Sequence, residues 1–530
     1  MEKKSFVKGA AILAGAGLLV KLIGAVYRIP LFNIVGAEGM SYYEVVYPYY
    51  SALLVISSAG LPTAISKMVA ERVTLNDYRG AHRIYRSALT LLFGLGLLTS
   101  FLMFFGADIL SGSTALPESD LSFKALAPSL LFVSVMCAYR GYLQGLQLMT
   151  GTAVSQVLEQ AGKLAVGFTL AAKMLPLGPQ YAAMGALIGV SASELLALIV
   201  IYIFYRRRKN EFSGLRNSQD SPRRSFGSIA SGLLAIAVPV SIGASIMPLT
   251  GIADSVMIVR ILLEIGFSME NAQAAYAILR SSVMSLINMP AVLTMALAMS
   301  LVPAISSRMA EKDYKGVKRN ALTGMKLALI IGLPCAAGLY VLAGPILDML
   351  YPKLTEEQLM LGESLMRISA VGVIFLSLVQ TLTGIIQGMG KQVVPVVNLL
   401  IGGILKVVTM MLLMRIPEIN IKGAAVSTVV CYTVAGLLDM VYMVGKTKMR
   451  VNIIDVFLKP LFSAVIMAVS VSLCYKALLA AIHTTFAALG SVLIGVAIYG
   501  ILVILLKMFS REDLASMPGG KRLMRIMYGK

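Results

Sequence analysis

Gly17, Lys21, Gly24 and Arg28 follow one another at spacings of four, three and four. On an α-helix those spacings place all four in one stripe. Lys21 and Arg28 would then lie about 10 Å apart along the axis. Both sit inside an apolar run, LLVKLIGAVYRIPLF, residues 18–32. A cation in hydrocarbon is unfavourable by roughly 2.5–3.5 kcal/mol even on the milder insertion scales. The glycines leave this face without bulk, so the stripe is expected to line a water-filled cavity. A phosphate or pyrophosphate suits the pair, because Arg binds it through two N–H groups and Lys as a point charge. A doubly charged head group would offset the burial of the two cations. Pro30 clashes with the carbonyl of Val26 and is expected to bend or break the helix just past Arg28.

Other ionisable residues interrupt later apolar runs. Glu159 and Lys163 are i, i+4 neighbours able to neutralise each other. Lys406 has no acid in its own run and needs a partner or an anionic ligand. Arg280 lies early in the eighth run. The substrate-contact candidates are therefore Lys21, Arg28, Lys163, Arg280 and Lys406. Asp254 is the candidate for ion coupling, with an ion pair to Arg260 or Arg280 as the alternative. Glu194 and Asp439 show no clear partner in the sequence. Gln144, Gln387 and Asn288 read as helix–helix hydrogen bonds, with sugar contacts as the alternative. The four cysteines, Cys137, Cys335, Cys431 and Cys474, lie far apart in apolar segments without ligand spacing. They read as packing residues, and neither metal nor cofactor is expected. An enzyme would need acid–base residues on an ordered external loop. The two histidines are His82 and His483, and His82 falls in a basic loop where a solvated role is expected.

The elements that must hold these residues are membrane helices. The 530 residues are 58% hydrophobic and 14% charged, against about 25% charged in soluble domains. Residues 87–107 and 484–506 contain no charge, and each is long enough to cross roughly 30 Å of hydrocarbon. The chain reads as an all-α polytopic membrane protein with about 14 spans. They are placed at 6–34, 43–66, 87–107, 122–145, 153–173, 181–205, 229–252, 275–301, 321–344, 364–387, 393–414, 423–444, 456–476 and 484–507. Glu38 and Glu44 are assigned to the first external loop, with Glu44 at the very start of the second span. The Lys-rich start is read as part of a retained first span, not a signal peptide. The net charge of +20 is concentrated in alternate loops, as the positive-inside rule expects. This pattern argues against nucleic acid as a partner and places both termini on the cytoplasmic side of the cytoplasmic membrane.

The chain also repeats itself. LPTAISKMVAE (61–71) and DYRGAHR (77–83) reappear as LVPAISSRMAE (301–311) and DYKGVKR (313–319). GYLQG (141–145) reappears as GIIQG (384–388), and a lysine follows each glutamine by nineteen residues, Lys163 and Lys406. A repeat of about 240 residues with six spans is of the parallel kind, with two lobes enclosing a central cavity. The expected organisation is an N-terminal six-helix lobe (1–205), a basic linker (206–228), a C-terminal six-helix lobe (229–450), and two added helices with a basic tail (451–530).

The stretches GAEGMSYYEVVYPYYSALLVISSAGLPTAISKMVAE (36–71), LVPAISSRMAE (301–311) and GIIQGMGK (384–391) resemble the polysaccharide-flippase branch of the multidrug/oligosaccharidyl-lipid/polysaccharide (MOP) exporter superfamily. The nearest likeness is to the stage V sporulation protein B and YtgP group, relatives of the lipid II flippase MurJ. The resemblance implies two pseudo-symmetric MATE/MurJ-like lobes plus two extra helices. It implies alternating access and a polyprenyl-diphosphate-linked saccharide as cargo, moved toward the outer leaflet. It also implies membrane lipids and cell-wall synthesis proteins as partners. Lys21 and Arg28 occupy places similar to first-span arginines of MurJ-like proteins that contact pyrophosphate, and Arg280 is similar to an eighth-span cavity arginine. Two other readings remain at this point. One is a cation-coupled multidrug exporter of the same superfamily, which predicts acids in the N-terminal cavity. The other is a non-transporting scaffold for cell-wall or spore-cortex synthesis.

Overall fold

The protein is described by a computed structural model covering residues 3–213, 225–449 and 451–509, with Met524 and Tyr528. Residues 214–224 of the basic linker and most of the basic tail lie outside the described residues. Every described element is helical, and no strand occurs among the described residues. The chain falls into two compact units, Met1–Ala277 and Ile278–Lys530.

Unit 1 holds α1 (Lys3–Ser58), α2 (Leu61–Thr74), α3 (Tyr78–Phe105), α4 (Ala107–Ser113), α5 (Asp120–Gly145), α6 (Met149–Gly162), α7 (Phe168–Met174), α8 (Pro179–Ser213), α9 (Phe226–Glu264) and α10 (Met269–Ala277). A π-helical turn, Lys163–Gly167, joins α6 to α7. α1 is interrupted at Gly36, where φ is 75° and ψ is 178°. This conformation is essentially restricted to glycine. The expected break at Pro30 does not occur: Pro30 and Pro48 both lie within helix. Around α5, helices α2, α3 and α8 pack a core built on Ile65, Ile84, Leu92, Met136 and Leu143.

Unit 2 starts with a π-helical turn, Ile278–Val283. It continues with α11 (Met284–Ala310), α12 (Tyr314–Val341), α13 (Ala343–Leu350), α14 (Glu356–Gly388), α15 (Val393–Leu413), α16 (Lys422–Thr447), α17 (Lys459–Leu479) and α18 (Thr484–Leu505). Its core joins α11, α12, α14 and α17 through Ile305, Met325, Leu329, Leu382 and Met467. The helix pairings correspond between units: α3 with α5 and α12 with α14, α5 with α8 and α14 with α16, α6 with α8 and α15 with α16.

Among the described residues, twelve helices are long and apolar enough to cross a membrane. The difference from fourteen has two sources. Gly15–Thr74 counts as one 60-residue element and covers the first two expected spans. The expected span 153–173 is formed by α6, its π turn and α7, whose charged and polar residues dilute its hydropathy.

The repeated polar loop has a structural reason. Asp77 accepts from Gly80 N at 2.7 Å, and Asp313 accepts from Gly316 N at 2.9 Å. Each carboxylate thus caps the helix that follows. A Cβ at either glycine would lie 2.1–2.3 Å from the capping carboxylate as it is placed, so the glycine lets the carboxylate sit this close to the first turn. Asn76 and Lys312 both take φ of 57°. Arg72 and Arg308 pair with the respective aspartates. The second repeated motif packs on the first. Gly145 approaches Val69 and Ser66 O, and Gly388 approaches Ile305 and Val302 O, at distances that leave no room for a side chain.

Candidate functional site

The stripe of α1 is present. Lys21 is exposed and Arg28 half-buried. Between them Gly24 faces α6, where an added Cβ would stand 3.7 Å from Gln160 Oε1. Arg28 Nη1 lies 3.1 Å from Glu44 Oε1, and its guanidinium carbon is 5.6 Å from the Tyr47 ring centre. Glu44 corrects the sequence expectation. It lies not in an external loop but in the second segment of α1, with its side chain fully buried. The Gly36 interruption turns the chain so that this carboxylate meets Arg28. α9 and α10 close over the same place: Ser255 Oγ lies 3.1 Å from Tyr276 OH, which donates to Glu44 O at 3.3 Å.

Deeper in unit 1, four ionised groups form a chain. Arg140 of α5 contacts Glu159 of α6 at 3.2 Å. Glu159 contacts Lys163 at 2.9 Å, and Lys163 contacts Glu194 of α8 at 3.1 Å. Arg140 Nε also donates to Ser155 Oγ at 3.1 Å, and Gln160 Nε2 donates to Glu159 Oε1 at 3.1 Å. Two cations balance two anions, and the four side chains are 3–14% exposed. Lys163 is therefore held by Glu194 as well as by the expected Glu159, and Glu194 does have a partner. Such a network fixes helix positions, because removing one member strands a buried charge.

The remaining candidates are distributed between the units. Asp254 is buried in α9 of unit 1. In unit 2, Arg280 sits in the π turn and Lys406 is buried in α15. Asp439 of α16 accepts from Asn398 and Thr383. Asn288 donates to Met284 O within its own helix, not to another helix. His82 is buried, not solvated. Its ring lies 5.5 Å from Tyr85 and 6.2 Å from Tyr142, in a tyrosine cluster that includes Tyr139 and Tyr205. Arg140 and the role of Glu44 were missed. Arg140 stands directly before the repeated GYLQG, and that position was the one available signal.

The profile of the polysaccharide biosynthesis protein family matches residues 6–309, and the MatE profile matches residues 239–412. The chain is 25% identical to stage V sporulation protein B of Bacillus subtilis over 98% of each chain. It is 26% identical to lipid II flippase MurJ of the same organism, over 82% of this chain and 81% of the relative. A solved structure of lipid II flippase MurJ in an inward closed conformation superposes with a TM-score of 0.71 at 14% identity, over 94% of this chain and 98% of that one. This multi-pass membrane protein is not an enzyme but a transporter: it belongs to the polysaccharide biosynthesis protein family, in the MOP superfamily of flippases.

Proposed function

We propose that this protein moves a polyprenyl-diphosphate-linked saccharide, such as a lipid II-like wall precursor, between the leaflets of the cytoplasmic membrane. Both termini face the cytoplasm, and the saccharide passes as the site is exposed to each side in turn. The single observation that carries this reading is the accessibility of the two α1 cations. Lys21 is exposed and Arg28 is 25% exposed, whereas Lys163 and Glu194 are 12% and 3% exposed. Lys163 then belongs to the scaffold of the site and not to its contact surface. A diphosphate is an anion of the same kind as the Glu44 carboxylate, and it competes with Glu44 for the Arg28 guanidinium. Glu44 stands in for the cargo when the site is empty, so Arg28 is never left as an uncompensated charge. Arg280 and Lys406 are the candidate substrate contacts of unit 2, and Asp254 is the ion-coupling candidate of α9. Membrane lipids, and cell-wall synthesis proteins that supply or consume the cargo, are the expected partners.

One observation favours a second reading, a cation-coupled exporter. Buried Glu44 and Glu194 and half-buried Glu159 place three acids inside unit 1, as that reading predicts. Reconstitution of the full chain in liposomes with labelled lipid II separates the two, and separates both from a scaffold. Leaflet exchange faster than in protein-free liposomes, lost in Lys21→Ala and Arg28→Ala, is the expected result. Exchange at the protein-free rate with wild-type chain would sink the proposal.

A further inference from the structure

A second polar node lies in unit 2, among none of the cations above. Asp439 of α16 is 1% exposed. Its Oδ1 accepts from Asn398 Nδ2 of α15 at 2.7 Å, and its Oδ2 accepts from Thr383 Oγ1 of α14 at 3.5 Å. Three helices thus converge on one carboxyl group. The repeat gives the node a counterpart. Thr383 and Asn398 each lie 243 residues beyond Arg140 and Ser155, as Gln387 lies beyond Gln144 and Lys406 beyond Lys163. Arg140 and Ser155 are themselves hydrogen-bonded in unit 1. Matching positions therefore carry a polar node in both halves, built around a guanidinium in one and a carboxyl in the other.

The two nodes differ in how charge is met. Each glutamate of the unit 1 network faces a cation. Among the described residues, the hydrogen-bond partners of Asp439 are neutral. A carboxylate inside a span with only neutral donors is disfavoured relative to its protonated form. Both partners accept either state. An amide N–H donates to a carboxylate and, more weakly, to the carbonyl of a carboxylic acid. A threonine hydroxyl donates to the first and accepts from the O–H of the second. We propose that Asp439, with Asn398 and Thr383, forms a proton-binding site of this transporter. A proton from water bonds to Oδ2, Thr383 turns from donor to acceptor, and Oδ1 keeps its bond from Asn398.

The surroundings fit a site whose charge changes. On α14, no charged residue occurs between Arg367 and the helix end at Gly388; Lys391 follows in the turn. On α15, Lys406 lies two turns beyond Asn398, about 12 Å along the axis. There Gly402 already packs on Cys431, so α15 runs away from Asp439. On α16 itself, Lys422, Cys431, Tyr432, Tyr442 and Lys446 are the other titratable groups along the helix. The proton-linked form differs from the charged one by a single bond direction at Thr383, which ties the protonation state to the contact between α14 and α16.

The test is infrared difference spectroscopy of the purified full chain in nanodiscs, as pH falls from about 8 to about 5 across the range in which perturbed carboxyls titrate. The expected result is a carboxylic-acid C=O band that grows with one-proton dependence. It is lost in Asp439→Asn and displaced in Asn398→Ala and Thr383→Val. The two displaced bands decide the matter should Asp439→Asn fail to fold, because those variants keep the carboxyl. A band unchanged in all three variants overturns the proposal. So does a carboxylate band that responds to Na⁺ at constant pH and not to pH, which would make the node a metal-cation site. No cargo is present in this measurement, so it fails independently of the flippase reading.

Discussion

Arg28 Nη1 and Glu44 Oε1 stand 3.1 Å apart across the interruption of α1 at Gly36. Sixteen residues of chain separate them, and a straight helix would set them about 24 Å apart. The ion pair and the glycine are therefore one device: the kink at Gly36 brings the two side chains together, and their contact braces the kink.

Gly36→Ala tests that device. A Cβ at Gly36 meets no atom within 4 Å, so the substitution adds strain without a clash. A non-glycine residue in this backbone region costs about 1–3 kcal/mol. We expect a lower thermal unfolding midpoint in detergent and a weaker Arg28–Glu44 coupling in a double-mutant cycle. An unchanged midpoint would mean that α1 straightens without penalty.

Lys163→Met should destabilise the protein by about 3–5 kcal/mol, because Glu159 and Glu194 lose the cation between them. Glu194→Gln on the Lys163→Met background should recover much of that loss. Unfolding of the two single variants and the double variant gives the coupling energy. Additive effects would show that the buried chain of charges does not act as a unit.

Asp77→Ala should cost about 1 kcal/mol through the lost helix cap, read as a lower unfolding midpoint. At the matching Asp313, the bonds from Gly316 N and Arg308 hold the carboxyl below its ordinary value. A depressed value contributes stability above the unfolded-state pKa, and that contribution disappears as pH falls through the folded value. Asp313→Asn should therefore unfold at lower temperature than wild type near pH 7, with the gap closing as pH falls below the ordinary aspartate range. A gap independent of pH would assign the cap no charge dependence.

Gly145→Leu should disrupt α2 against α5, since a Cβ there would sit 2.7 Å from Val69 and 2.9 Å from Ser66 O. Overpacking of this kind costs about 1–3 kcal/mol. Gly94, in α3, has open space around its Cβ position, and Gly94→Ala should be neutral or stabilising by up to about 1 kcal/mol. The pair of midpoints distinguishes close approach from simple helix propensity.

The stripe of Gly17, Lys21, Gly24 and Arg28 was legible because helical spacing is a local property of sequence. The repeat was legible for the same reason, although only the structure shows what DYRG and DYKG share: the aspartate of each caps the helix through the N–H of the glycine three residues on. Partners could not be read where contact depends on chain direction. Glu44 reaches Arg28 only through a left-handed glycine. Glu194 reaches Lys163 from another helix, and Arg140 reaches Glu159 the same way. His82 was misplaced because hydropathy averages over neighbours, and its arginine-rich surroundings hid the tyrosines that bury it.

The division of the chain at Ala277 does not fall where the repeat divides it. By repeat, α9 opens the second copy; by packing, it lies with α1, α2 and α3 in unit 1. If both copies descend from one duplicated gene, the first has adopted the leading helix of the second. Severing the chain in the linker would then not part the halves along their natural joint. Fragments 1–213 and 225–530, made separately in one cell, should find each other through that adopted helix.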